Sequence, residues 1–329
     1  ALQRLASTEH SASLQKRRAE LLHRRGNLAS LAGDAELALQ SYREAISLTR
    51  QWATEDRQGL ASSLLGEAGA LSSLGQLQAA ANSYAEALPL LESSLGESVE
   101  LATELMNSAN VLNTLEQAAL ARQRIERAQA MLRKLGDVDS GHDGHALLEL
   151  AKASLTLGEF ERALHEAEGA KQAFIDTLGA DHPYVWFPSF SAARAEQGLG
   201  LSVAAQQRIA ATLQHYREQN DSGMQLRVLQ VQTELALDAG NIALADESTR
   251  YAAPMVATLP ENSLSRHWSM ALQAAVQLAL QHQQPSPDPS GIAHARGLLQ
   301  ASAKALADPL GERHSRVQRI QHWLVMEKH

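Results

Sequence analysis

The chain contains no cysteine, which excludes disulfides and thiolate metal sites and fits either an oxidising compartment or simple avoidance. Aromatic residues make up only 4% of its 329 positions, while alanine and leucine abound. That balance favours one extended repeat array over two ordinary domains. No run of about 18 apolar residues occurs, so no segment is read as inserting into a membrane. Basic charge is in deficit, with a formal net charge of −8, and phosphate binding needs a basic surface, so nucleic acid is not expected as the partner. HExxH, phosphate-loop and GxSxG patterns are missing too. Neither catalytic residues nor a cofactor is expected, and the dispersed acids fit exposed helix faces. With 44% apolar residues the chain is ordinary globular material, neither disordered nor fibrous.

What is present is a period. Gly33 closes one helical pattern, and Ala38, Tyr42 and Ala45 follow at fixed offsets. The set recurs as Gly75, Ala80, Tyr84, Ala87, as Glu116, Ala121, Ile125, Ala128, and as Gly158, Ala163, Ala167, Ala170. Weaker copies are Gly200, Ala205, Ile209, Thr212 and Gly240, Ala245, Thr249, Ala252, with steps of 42, 41, 42, 42 and 40 residues. Small residues seven apart lie on one helix face, where two helices approach closely. The residue between them, bulky in most copies, fills the gap, and a turn glycine tolerates the left-handed conformation that ends a helix. Each unit is thus a pair of antiparallel helices. A lone pair cannot bury its apolar face, so neighbours must stack.

This pattern, with Gly26-Asn27 upstream of Gly33, resembles the tetratricopeptide repeat, and its period, longer than the usual ~34 residues, is similar to the kinesin-light-chain type. Leu178-Gly-Ala-Asp-His-Pro-Tyr-Val185 is similar to the linker of such arrays. Leu310-Gly-Glu-Arg-His-Ser-Arg-Val317 is a degenerate second copy, and Leu95-Gly96 and Leu135-Gly136 keep its head. The resemblance implies an all-α, right-handed superhelical solenoid of antiparallel helix pairs, about seven repeats plus a capping helix. The expected repeats are 12–50, 58–94, 98–135, 143–178, 184–218, 222–258 and 263–307, with a Pro/Ser loop at 284–291 and a cap at 312–328, all in one domain spanning 1–329. The last repeat is expected to pair Leu264–Gln283 with about Ile292–Ala307, and the cap to expose Arg316 and Arg319.

In that family the first helix of each pair lines the concave surface. Residues i, i+4, i+7 and i+11 then form a groove stripe. The stripe reads Glu20, Arg24, Asn27, Leu31; Ser62, Gly66, Gly69, Ser73; Thr103, Asn107, Asn110, Thr114; His145, Glu149, Lys152, Thr156; Phe187, Ser191, Arg194, Gly198; and Arg227, Val231, Glu234, Asp238. Asn107 and Asn110 are the most suggestive pair, because an amide donates and accepts and can pair with the main chain of an extended peptide. Gly66 and Gly69 would leave a pocket for a ligand side chain. The plain alternative is an amide-rich solvated face. Among Tyr184, Trp186, Phe187 and Phe190, core filling is expected of Tyr184 and Trp186, while Phe187 lies on the stripe with Arg194; Phe187 and Phe190 are retained as groove candidates.

The remaining signals are weaker. Residues 1–25 carry a net charge of +4, with Arg4, Lys16, Arg17, Arg18, Arg24 and Arg25 against Glu9 and Glu20. A solvated face is expected there, with anionic lipid or nucleic acid as alternatives. His142 and His145 lack a third metal ligand, and Asp143 reads as a helix cap, so no metal is expected. His182 is expected to bond its own turn. The chain begins at Ala1 rather than a methionine, as expected of a fragment or processed form. The reading is therefore a non-catalytic protein- or peptide-binding scaffold. It would be the sensor or regulatory part of a bacterial signalling protein such as a receptor-like Ser/Thr kinase, extracytoplasmic and membrane-anchored, with a kinase or regulatory domain upstream. The alternative is a cytoplasmic effector or oligomerisation domain of a transcription regulator or signalling scaffold.

Overall fold

The computed structural model describes residues 2–137 and 141–325, with side chains described from residue 11 onward. The side chains of Arg4 and Glu9, and the end of the expected cap at Lys328, therefore lie outside what is described. Among the described residues there are fifteen α-helices, one short 3₁₀ turn and no strand. The chain is an all-α helical repeat, and it divides into two compact units.

The first unit, residues 1–114 and 120–138, holds α1 (Leu2–Leu31), α2 (Ala35–Trp52), α3 (Arg57–Ser73), α4 (Leu77–Leu95), α5 (Val99–Thr114) and nearly all of α6 (Ala118–Leu135). The second, residues 115–119 and 139–329, holds α7 (His142–Thr156), α8 (Phe160–Leu178), the 3₁₀ turn Pro183–Trp186, α9 (Pro188–Gly198), α10 (Ser202–Glu218), α11 (Ser222–Asp238), α12 (Ile242–Ala257), α13 (Leu264–Gln283), α14 (Pro289–Leu310) and α15 (Ser315–Val325). In the first unit α1 packs on α2, α3 on α4, and α2 on α3. In the second, α7–α8, α9–α10, α11–α12 and α13–α14 are the hairpins, and α7, α9, α11 and α13 touch in succession.

The turns explain why the helices stop where they do. At the first, Gly33 takes φ +78°, its N–H reaches Ser30 O, and the next N–H, of Asp34, reaches back to Ala29 O at 2.9 Å. This paired bonding satisfies carbonyls that a helix end leaves open. Asp34 then caps the following helix by accepting the Leu37 N–H at 3.0 Å. Gly240 and Asn241 repeat the device in the second unit, with Asn241 N–H to Ala236 O at 2.8 Å and Asn241 Oδ1 accepting from Leu244. One residue type is out of line: Glu116 occupies the same turn position with φ +59°, a left-handed backbone that disfavours a residue with a Cβ.

The spacing read from the sequence is the packing itself. Ala38, Ala45, Ala80, Ala87, Ala121, Ala128, Ala163, Ala170, Ala205 and Ala245 are fully buried, and Tyr42, Tyr84, Ile125 and Ile209 lie buried between them. Aromatic rings then fill grooves that glycines open. A Cβ on Gly26 or Gly66 would come within 2.6 or 2.4 Å of the Tyr42 ring, and one on Gly144 within 2.6 Å of Phe174. The Pro/Ser loop is shorter than the sequence suggests. Asp288 accepts the Ser290 and Gly291 N–H groups, and Pro289 suits a first helical position, so α14 begins three residues before Ile292.

The degenerate linker keeps its geometry. Gly311 has φ +94° against +89° at Gly179. His314 Nδ1 accepts the Arg316 N–H at 3.1 Å, as His182 Nδ1 accepts that of Tyr184 at 3.2 Å. His182 thus bonds its own turn, as expected.

Candidate functional site

In the first unit the inner stripe is exposed or half-exposed. Arg24 is exposed on α1. Asn27 is also exposed, but its Oδ1 accepts the Tyr42 hydroxyl at 2.8 Å and its amide nitrogen lies 3.2 Å from His23 Nε2. Asn27 therefore positions Tyr42. Gly66 does not leave a pocket, contrary to expectation, because the Tyr42 ring already occupies the space above it. Gly69 is open, with nothing within 4 Å of where a Cβ would be. On α5, Thr103, Asn107 and Asn110 are half-buried and Thr114 is exposed, while Leu101, Leu105 and Leu112 form the packed side. Asn107 gives one amide hydrogen to Glu104 at 3.3 Å. Burial pushes the Glu104 carboxyl above the usual range, and this bond pulls the other way. Thr103 and Thr114 bond their own helix carbonyls at Val99 and Asn110.

A shallow depression of about 390 Å³ also lies in the first unit, lined by Arg43, Ile46, Ser47, Arg50, Gln51 and Glu67. Its arginines are committed, Arg43 to Glu67 at 3.0 Å and Arg50 to Glu86 at 2.6 Å.

The second unit draws its stripe inward. Glu149 is 1% exposed and is bonded by Lys152 at 2.5 Å, with His145 Nε2 3.8 Å away. Burial lowers the His145 pKa below its ordinary value, against the pull of Glu149. Asp143 does not cap α7. It lies in the first turn, Gly141 is the capping position, and no side-chain cap bond forms there. The aromatic roles are exchanged: Tyr184 is 52% exposed rather than core, whereas Phe190 is 9% exposed and belongs to the core with Ile209, Leu213 and Leu226. Trp186 is half-buried and stacks on His215 at 4.2 Å.

Around Phe187 and Phe190 the structure assembles a site that sequence reasoning missed. Glu234 of α11 is buried, accepting the Trp268 Nε1–H at 2.8 Å and an Arg194 N–H at 2.8 Å. Arg319 approaches the same carboxylate at 4.0 Å and bonds Asp238 at 3.0 Å. Burial alone would raise the Glu234 pKa, but Arg194, Arg316, Arg319 and the Trp268 bond together hold it below the usual carboxylate range. Arg316 lies over the Trp268 ring at 5.1 Å, and Arg227 over Phe190 at 5.5 Å and Phe187 at 5.9 Å, within cation–π range. Arg316 and Arg319 are half-buried, so they are not the solvated face expected of a capping helix. They turn toward α11 and α13. The available signals were the 227–231–234–238 stripe and the i, i+3 arginine pair of α15. Nothing local joined them.

Among the described residues no group of three or more His, Asp or Glu could hold a metal ion, and no helix is long and apolar enough to cross a membrane.

No family model matches the chain, and no curated protein matches it in sequence. Solved structures do. A Podosopora anserina protein described as a kinesin light chain of nearly identical TPR-like repeats is 18% identical, with a TM-score of 0.51 over 63% of this chain and 97% of its own. A tetratricopeptide repeat protein from Parabacteroides merdae is 14% identical, with a TM-score of 0.54 over 94% and 98%. The fold is tetratricopeptide-like. A Rap protein solved in complex with Competence and Sporulation Factor has the same fold at 13% identity, with a TM-score of 0.58 over 96% of this chain and 99% of its own.

Proposed function

We propose that the chain is a non-catalytic scaffold that holds a protein or an extended peptide along the inner helices of its repeats. The observation that carries this reading is the two-sidedness of those helices. In α5, Thr103, Asn107 and Asn110 stand partly exposed while Leu101, Leu105 and Leu112 are buried behind them. A face that packing does not need, rich in groups that both donate and accept, suits a peptide main chain. The fold shared with a Rap protein solved with its bound factor is consistent with it. The test is capture from an immobilised peptide library by the wild type and by Asn107→Ala/Asn110→Ala. The double variant should lose most of the captured peptides; an unchanged set would remove α5 from the binding surface.

The finer assignment is the sensor or regulatory part of a bacterial signalling protein such as a receptor-like Ser/Thr kinase, held outside the cytoplasm. It draws on the exposed Arg17, Arg18, Arg24 and Arg25 of α1, a face suited to anionic lipid, and on the lack of cysteine. A phosphatase reporter fused to the native gene product, active only when exported, should be active; an inactive fusion favours the cytoplasmic effector domain.

A further inference from the structure

We propose that the side of α1 bearing Leu14, Leu21 and Leu28 is a docking surface for an acidic amphipathic helix of a partner protein, which covers the first repeat as each repeat covers the next. This surface lies beside the groove stripe, with Arg24 at their common edge, and goes beyond the peptide-groove reading.

The inference begins with the register of the repeat. Counted back from the turn residue Gly33, Leu28 stands at −5 and Leu21 at −12. In α3, α5, α7, α9 and α11 the −5 residue is Ala70, Val111, Ala153, Ala195 and Leu235, each 3% exposed or less. At −12 stand Ser63, Ala146, Pro188 and Val228, all buried, and Glu104, half-buried. Neighbouring contacts show what covers this side. Ser63 Oγ lies 3.3 Å from His23 Nδ1 of α1. Glu67, at −8, accepts from Arg43 of α2 at 3.0 Å, and Gln225, at −15, donates to Tyr216 O of α10 at 3.0 Å. Likewise α3 packs on α2, α5 on α4, α9 on α8 and α11 on α10. This is therefore the side on which a first helix receives the helix pair before it.

On α1 the same side is open and apolar. Leu21 and Leu28 are 65% and 68% exposed, and Leu14, one heptad earlier, is 53% exposed. Scattered exposed leucines need no explanation. A single file of them about 21 Å long, on a contact register, has the geometry that helices bury in one another. Exposed arginines flank the file, Arg17 and Arg24 on one edge and Arg18 and Arg25 on the other. Arg25 is the −8 residue, the position at which Glu67 pairs with Arg43 across a repeat boundary. A partner carboxylate would complete the same pair with the signs reversed.

The same arginines suit anionic lipid, and the width of the apolar face decides between the two. A helix lying in a bilayer interface needs a broad apolar face, whereas here arginines stand within about 60° of the leucine file on both sides. A second copy of the chain is disfavoured too, because two such faces laid together would set arginine against arginine. A helix with an apolar line and carboxylates on both edges meets neither objection.

The experiment measures fluorescence anisotropy of a labelled heptad-repeat peptide, apolar at a and d with glutamate at e and g, beside its lysine counterpart, on the full chain. The glutamate peptide should bind at least about tenfold more tightly than the lysine one, and more weakly as salt rises. Leu21→Ser/Leu28→Ala, which installs the residues that the next repeat carries at these positions, should weaken binding by at least about tenfold. Its urea midpoint should hold, because both leucines are exposed. Arg17→Glu/Arg18→Glu/Arg24→Glu/Arg25→Glu should pass the preference to the lysine peptide, and Asn107→Ala/Asn110→Ala should bind as the wild type does. Equal affinity for the two peptides, binding of neither, or binding unaltered by the leucine variant overturns the proposal. Loss of binding in the asparagine variant does so as well, by placing the peptide in the groove. A dimer that the leucine variant abolishes would make the occupant a second copy, and uptake onto phosphatidylglycerol vesicles that it abolishes would make it lipid; either result also overturns the proposal.

Discussion

The α5 stripe of the first unit and the α9–α11 stripe of the second occupy the same register of the repeat, yet they behave as different materials. Thr103, Asn107 and Asn110 lie half-exposed on a helix whose packing is done by leucines on its other side. On the other stripe Glu234 instead meets Arg194, Trp268 of α13 and Arg319 of α15, and Arg227 lies over Phe187 and Phe190. There Trp268 and the arginines of α15 close over Glu234, so that carboxylate must find its partners within the protein. The same register thus carries little packing on α5 and a tightly coupled ionic cluster at Glu234.

Glu234→Ala should break this contrast hardest. It leaves the Trp268 N–H and the Arg194, Arg316 and Arg319 charges without their common acceptor, and the loss of one side of a buried ionic cluster costs roughly 3 kcal/mol. Urea unfolding followed by tryptophan fluorescence would measure it, and a loss under about 1 kcal/mol would mean that Asp238 and solvent serve those arginines.

Gly66→Ala tests the first unit. Its new Cβ would fall 2.4 Å from the Tyr42 ring, an overpacking worth about 2 kcal/mol. Gly69→Ala, with open space above it, should instead stabilise slightly, by about 0.5 kcal/mol, through helix propensity. Equal effects at the two glycines would show that the ring moves freely.

The pH response sharpens the comparison. Glu234 has a folded pKa below its ordinary 4.5. Its contribution is therefore complete above 4.5 and is lost as pH falls through the lower folded value. One such proton changes stability by at most about 1.4 kcal/mol per pH unit. Glu234→Gln should flatten the acid limb of the second unit's stability curve, and an unchanged limb would place the acid sensitivity elsewhere. An effect as small as that of Gly69→Ala belongs to Asn107→Ala, which removes a half-exposed bond to Glu104 and should cost about 0.5 kcal/mol. A cost several times larger would make the asparagine structural and weaken its case as a ligand contact.

Much of the fold was legible because its determinants are local. Gly33, Gly75, Gly158, Gly200 and Gly240 all take the left-handed turn, and the alanines at +5 are buried at each copy. Even the degenerate linker at Leu310 kept the His-to-backbone bond of the full one. The site was less legible. Asn107 and Asn110 could be put on a face by counting residues, but the Tyr42 ring over Gly66 is a contact across 24 positions, and Phe190 and Tyr184 exchanged roles because junction packing, not composition, decides which ring points inward.

By itself, then, the sequence determined the period, the turns and the face of each helix, because these follow from backbone conformations and from neighbours three, four and seven residues apart. Only the tertiary structure decided which charges are desolvated. Trp268, Arg316 and Arg319 come to Glu234 from 34, 82 and 85 residues away, and no pattern within α11 announces them. Whether a carboxylate is a solvated ornament or the centre of an ionic cluster depends on the low-dielectric surroundings that packing creates.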